Sequence, residues 1–175
     1  MNLPPIIGFA GRKKSGKDTA YSLLYRELPH INVFKVSFAD SLKEEIAQAV
    51  GCTIGYIDTN KDNFRLILQG WGTDFRRHLC GEDYWIKKWK AKVDYIRNHT
   101  AGCLIVATDV RFQNEVDIIN GMGGKVYQIE PYNKETYEDD VHESEQLILG
   151  KNCGIVANDF KDITVLQTAI KQILQ

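Results

Sequence analysis

The sequence lacks three things that would each have pointed to a definite class. It has no paired-cysteine motif. Its four cysteines, Cys52, Cys80, Cys103 and Cys153, never form a C-x-x-C, so a zinc site has no support. Scattered thiols of this kind fit a reducing cytoplasm, and Cys103 and Cys153 lie beside apolar runs as small core residues do. It also has no basic excess: 22 Lys and Arg face 23 Asp and Glu, for a net charge of -1. A dedicated nucleic-acid binder would show a basic field, so any anion bound here must be held by local groups. Finally, no apolar run approaches the ~20 residues of a membrane span. The N-terminus lacks a charged n-region, and Pro4-Pro5 interrupts it, so a signal peptide is not expected. These absences predict a cytoplasmic protein without a nucleic-acid or membrane partner. Oligomeric state stays open, a homodimer included.

What is present is ordinary for a soluble globular domain. The 175 residues are 43% hydrophobic and 26% charged, enough for one domain over 1–175 with a real core. Ile6–Ala10 is a short apolar strand, and Lys17–Leu28 a helix with Tyr21, Leu24, Tyr25 and Leu28 on one face, stopped by Pro29. Val33–Phe38 is a second strand. A helix over Asp40–Val50, capped by Asp40 or Ser41, ends at Gly51. Residues 52–100 contain no convincing strand and two helical patterns, Asp62–Leu79 and Asp83–Asn98, with all three tryptophans. Leu104–Thr108 is a buried-type strand, and Glu115–Met122 a helix closed by Gly123-Gly124. Lys125–Ile129 is a fourth strand. The polar, acidic, tyrosine-rich stretch from 131 to about 142 reads as a lid-like loop, and Glu143–Leu149 as a short helix. Gly154–Ala157 is a fifth strand, and Ile163–Leu174 a closing helix. Alternating strands and helices imply an α/β domain with a parallel sheet of about five strands. The helical insertion at about 52–100 is the expected seat of acceptor specificity.

Gly11-Arg12-Lys13-Lys14-Ser15-Gly16-Lys17 satisfies G-x-x-x-x-G-K between a strand and a helix, the context that makes this motif a phosphate loop. Successive backbone N–H groups form an anion nest, and the helix N-terminus adds its positive dipole end. Gly11 and Gly16 permit turns that a Cβ would block. Lys14 and Ser15 belong to the cradle, and Lys17 can reach the β- and γ-phosphates. The residue after the lysine is Asp18 rather than Ser or Thr, and Thr19 follows. Asp18 has two readings: it helps hold Mg²⁺ or its waters, or it simply favours the helix N-terminus.

Leu104–Thr108 runs into Asp109, an apolar strand ending in a carboxylate as in a Walker B element, which acts on Mg²⁺ directly or through water. Arg111 and Glu115 follow. They would either face the ligand-bearing strand ends or form a surface pair one turn apart.

Several segments together resemble one family. Gly-Arg-Lys-Lys-Ser-Gly-Lys-Asp-Thr (11–19), Ser-Phe-Ala-Asp-Ser-Leu-Lys (37–43), Leu-Gln-Gly-Trp-Gly-Thr-Asp-Phe-Arg-Arg (68–77), Asp-Val-Arg-Phe-Gln-Asn-Glu (109–115) and His-Glu-Ser-Glu (142–145) are similar to the deoxynucleoside monophosphate kinases of tailed bacteriophages. The match runs in order across nearly the whole chain, with Gln113 a minor departure where proline is common. The resemblance implies a P-loop NTPase fold with ATP and Mg²⁺ as cosubstrates and a small deoxynucleoside monophosphate as acceptor. If the chain is phage-encoded, it would act in the host cytoplasm. Lys17 and Thr19 would hold donor phosphates, and Asp109 with Asp18 would organise magnesium. Arg111 and Glu115 would belong to the active centre, and Asp40 and Lys43 would lie where related kinases grip the acceptor.

Phosphoryl transfer needs positioning and positive charge more than a strong base, so arginines that clamp two phosphates are the expected parts. Arg65, Arg76 and Arg77 suit that role, although Arg65 reads equally well as a surface residue. If Gly72–Arg77 stays helical, Arg76 and Arg77 point about 100° apart and one of them faces the site. Trp71 could stack on a base or sit in the core. His142 reads as a cap or a functional group. Asn158 follows the last strand as either a base contact or a turn residue. Two rival functions remain. A dephospho-coenzyme A kinase, or another small-metabolite kinase, would share this layout. A GTPase-like switch would need Asn-Lys-x-Asp after a strand, whereas Asn60-Lys61-Asp62 has no spacer.

Overall fold

A computed structural model describes residues 3–131 and 152–175 of the chain. The lid-like loop beyond Pro131, His142 and the short helix expected at Glu143–Leu149 lie outside the described residues. Five parallel strands form the sheet, in the order β2-β3-β1-β4-β5: β1 Ile6–Ala10, β2 Val33–Lys35, β3 Leu104–Val110, β4 Lys125–Pro131 and β5 Cys153–Asn158. Among the described residues no helix is long and apolar enough to cross a membrane.

The sheet is buried on both faces, which is why β1 and β3 are almost unbroken apolar runs. Alternation splits β1 between two cores. Ile7 and Phe9 pack with Leu23 and Leu24 of α1 (Lys17–Glu27) and with Leu166 and Ile170 of α8 (Ile163–Ile173). Ile6 and Ala10 pack on the other side with Trp89 and Val93 of α6 (Tyr84–His99) and Val116 and Ile119 of α7 (Gln113–Gly121). A third, smaller cluster ties Ile46 and Ala47 of α2 (Ala39–Val50) to Ile57, Phe64 and Trp71 of the insertion.

Three differences from the sequence reading bear on the site. β2 stops at Lys35; Val36 N still donates to Val106 O at 2.9 Å, and Ser37–Phe38 leave the sheet although Phe38 is buried. β3 continues to Val110, where it pairs with Ala10, so Asp109 lies within the strand rather than just after it. The single helix expected at Asp62–Leu79 is α4 (Lys61–Gln69), then a π-helix at Gly70–Arg77, then α5 (His78–Cys80). π-Helix is rare and concentrates at functional sites. Within it Gly72 packs closely on α2, where a Cβ would meet Leu42 Cδ2 at 3.0 Å. An additional helix, α3 (Ile54–Thr59), is capped by Thr53, whose hydroxyl accepts from Tyr56 N.

Candidate active site

The phosphate loop is built by backbone conformation. Gly11 and Gly16 have φ of 147° and 101°, and Lys14 is left-handed at 64°, a cost for a residue with a Cβ that functional loops bear. Alternating handedness turns successive N–H groups inward. A Cβ on Gly11 would meet Ser15 Oγ at 2.4 Å, and one on Gly16 would meet Asn158 Nδ2 at 2.4 Å, so both positions require glycine. Ser15 is fully buried. The Lys17 ammonium donates to the carbonyls of Gly11 and Arg12, each at 2.7 Å, and so lies folded over the loop.

Asp109 stands beside this loop on the neighbouring strand. Its two oxygens accept from Phe38 N at 3.0 Å and Ala39 N at 2.9 Å. The N-terminus of α2 is therefore capped by a carboxylate seventy residues away in sequence rather than by its own first turn. Asp40, one of the two expected caps, instead accepts from Ser37 N at 2.9 Å. Desolvation pushes the Asp109 carboxyl above its usual range, against the amides of Ala39 and Phe38.

Glu115 is the third anchored carboxylate, 2% exposed. One oxygen reaches back to the amides of Arg111 (2.7 Å) and Phe112 (3.1 Å) at the start of α7, as the acidic member of a capping box does. The other meets Arg77 Nη2 at 2.5 Å. Burial pushes the Glu115 carboxyl up to about 7, while Arg77 and the two amides pull the other way. The Arg77 guanidinium also lies 3.8 Å above the Phe112 ring and donates to Glu82 O.

These groups line a continuous cleft of about 470 Å³ running from the phosphate loop to the insertion. Nine Lys and Arg line it against four Asp and Glu, so a chain of net charge -1 concentrates positive charge where an anionic ligand would sit. Lys14, Lys17, Asp18, Lys43, Arg65, Arg77, Asp109, Arg111 and Glu115 are all brought together there. Lys43 is held by Asp58 at 2.7 Å.

Four expected residues are placed differently. Thr19 is exposed and does not line the cleft, because one residue of helix rotates it about 100° from Asp18. Asp40 serves the Ser37 turn, as above. Arg76 points away, pairing with Glu45 at 2.9 Å over the rings of Trp71, Phe75 and Tyr84. Of the two adjacent arginines, Arg77 is the one facing the cleft. Asn158 is buried and donates to Ser15 O at 2.9 Å; it buttresses the phosphate loop from beneath.

Asp18 is well exposed and pairs with Lys35 Nζ at 2.6 Å. Desolvation opposes its ionisation, but the hydrogen bond and charge of Lys35, with Lys17 and Lys61 beyond, together outweigh it and hold its carboxyl below the usual range.

Lys35 was not singled out by the sequence, although its place at the carboxyl end of an apolar strand is a usable signal. Lys61, four residues before Arg65 on the same helix face, is another. Glu45 carried no signal at all. It takes four donors, Tyr84 Oη, Trp71 Nε1, Arg76 Nε and Lys88 Nζ. Burial opposes ionisation and those four donors outweigh it, holding its carboxyl down at about 2.

Comparison with known proteins bears on the fold and the family. In overall fold the chain is similar to TT1252 of Thermus thermophilus, with a TM-score of 0.57 at 14% identity over 99% of this chain and 97% of that one. It is similar also to a candidate kinase of Chloroflexus aurantiacus, with a TM-score of 0.52 at 14% identity over 100% and 98%. A candidate deoxynucleotide monophosphate kinase of Acanthamoeba polyphaga mimivirus is 30% identical across 80% of each chain. The family model for deoxynucleotide monophosphate kinase matches residues 54–170, from the insertion through Asp109 and Glu115 to α8. With its five-stranded parallel sheet and phosphate loop of the P-loop kinase fold, the chain belongs to the deoxynucleotide monophosphate kinase family and is a kinase.

Proposed function

We propose that the protein transfers the γ-phosphoryl group of ATP to a deoxynucleoside monophosphate, with magnesium assistance, in the cytoplasm. The observation that supports this best is the continuous cleft, with a phosphate loop at one end, insertion cations at the other and Asp109 between them. In this reading Gly11, Lys14, Ser15, Gly16 and Lys17 bind the donor phosphates through loop amides and ammonium groups. Lys43, Arg65 and Arg77 hold the acceptor phosphate, and Arg111 spans the two.

An oxygen of the acceptor phosphate attacks the γ-phosphorus as the bond to the β-bridging oxygen breaks, releasing ADP. The acceptor is already nucleophilic near neutral pH, so the residues supply alignment and positive charge rather than a base. Glu115 fixes the Arg77 fork by accepting at Nη2 and so acts as a positioning residue.

Asp109 and Asp18 suit a magnesium ion. Among the described residues no three His, Cys, Asp or Glu cluster as a metal cage, and magnesium is commonly taken by one or two carboxylates together with substrate phosphates and water. Asp109 retains acceptor capacity beyond its two amide bonds. When bound there, the ion would offset charge on the β- and γ-oxygens.

The test is ADP release with ATP and Mg²⁺ against a panel of dNMPs, rNMPs and dephospho-coenzyme A. Turnover confined to dNMPs is the expected result. Turnover only with dephospho-coenzyme A would keep a kinase and replace the acceptor.

A further inference from the structure

The part of the cleft walled by the insertion changes character between its cations. Leu42, Leu68 and Trp85 give it apolar faces, and Trp85 is locked by its indole N–H donating to Gly72 O at 2.8 Å. Between Arg65 and Arg77 the same helical face presents Gln69, at the end of α4, and Thr73, in the π-helix. A spacing of four residues keeps both on one side. Thr73 is 7% exposed. Among the described residues, neither the Gln69 carboxamide nor the Thr73 hydroxyl has a hydrogen-bond partner, whereas Arg77 and Lys43 are both ion-paired.

Gln69 is half-buried and both side chains line the cleft, so each keeps hydrogen-bonding capacity for whatever occupies it. Ligand pockets are typically apolar walls with a few such groups. These two are neutral, so they suit the uncharged part of a nucleotide rather than its phosphate. A carboxamide offers a donor beside an acceptor, as the edge of a nucleobase does. We infer that Gln69 and Thr73 read the hydrogen-bonding edge of the acceptor's base, and so set which deoxynucleoside monophosphate is preferred. This inference rests on the acceptor class proposed above.

The experiment compares kcat/KM for dGMP, dTMP, dCMP and dAMP in the unaltered chain and in Gln69→Leu, Thr73→Val and Gln69→Glu. Loss of one hydrogen bond is expected to shrink the ratio of best to second-best acceptor by about tenfold in the first two variants, with KM for ATP preserved. Gln69→Glu can only accept, so it should reorder the panel toward bases that present amino groups. An equal loss for all four acceptors, an unaltered order in all three variants, or no discrimination by the unaltered chain would each overturn the inference while leaving the acceptor class standing. If the unaltered chain turns over no dNMP, the acceptor class and the inference fail together.

Discussion

Arg77 and Glu115 lie 38 residues apart in the chain and meet at 2.5 Å, with side chains only 8% and 3% exposed. One comes from a π-helix in the insertion, the other from the first turn of α7 on the sheet. The pair therefore joins the insertion to the strand end that carries Asp109, and it orients a guanidinium toward the cleft. Removing one member leaves a buried, unpaired charge, which costs about 3 kcal/mol or more. We predict that Glu115→Ala lowers unfolding free energy by about that amount and turnover with it. Denaturant unfolding of Glu115→Ala, Arg77→Ala and the double variant measures the coupling. A coupling below about 0.5 kcal/mol, the scale of exposed pairs, would remove the pair from this account.

Lys17→Ala should lose turnover by about 100- to 1000-fold, the scale of one preorganised charge at a transition state. The fold should survive, because the Lys17 ammonium bonds to its own loop, at Gly11 O, Arg12 O and Ser15 Oγ, and is not part of the buried core. Steady-state rates alongside circular dichroism decide this. Near-normal turnover would sink a catalytic role for the lysine.

Asn158→Ala removes the amide that supports Ser15 O beneath the phosphate loop. A lost hydrogen bond of about 1 kcal/mol predicts a several-fold rise in KM for the triphosphate. Because the contact lies under the phosphates, ATP and GTP should suffer equally. A loss specific to ATP would restore Asn158 as an adenine contact.

Glu45 supplies the pH dependence. Its folded-state pKa of about 2 lies below the ordinary 4.5. A depressed carboxyl contributes stability that is fully present above the ordinary value and is lost as pH falls toward the folded one. The contribution is about 3 kcal/mol by order of magnitude, for a side chain 15% exposed. Glu45→Gln should therefore be less stable than the parent at pH 6, with the gap closing between about pH 4.5 and 2. A gap that stays constant over that window would show that the four donors do not act through Glu45's charge.

How much could be read in advance follows the range of the interactions. The strands at Ile6–Ala10 and Leu104–Val110 announce themselves because a strand buried on both faces must be apolar throughout. The phosphate loop is legible because Gly11, Gly16 and Lys17 act through local backbone geometry. The lack of strands locates the insertion but not its π-helix, because the widening of a helix depends on tertiary packing that no local pattern carries.

The sequence by itself determined the five strands, most of the helices, the phosphate-loop motif and the set of charged residues available for a site. Those follow from periodicity, glycine conformation and residue chemistry within a few positions of one another. Only the tertiary structure decided the strand order, the choice of Arg77 over Arg76, the capping of α2 by Asp109, the seating of Asn158 under the loop and the gathering of four donors on Glu45. Each joins residues far apart in sequence, and which partner a buried charge finds depends on how helices and sheet pack, information that no local pattern carries.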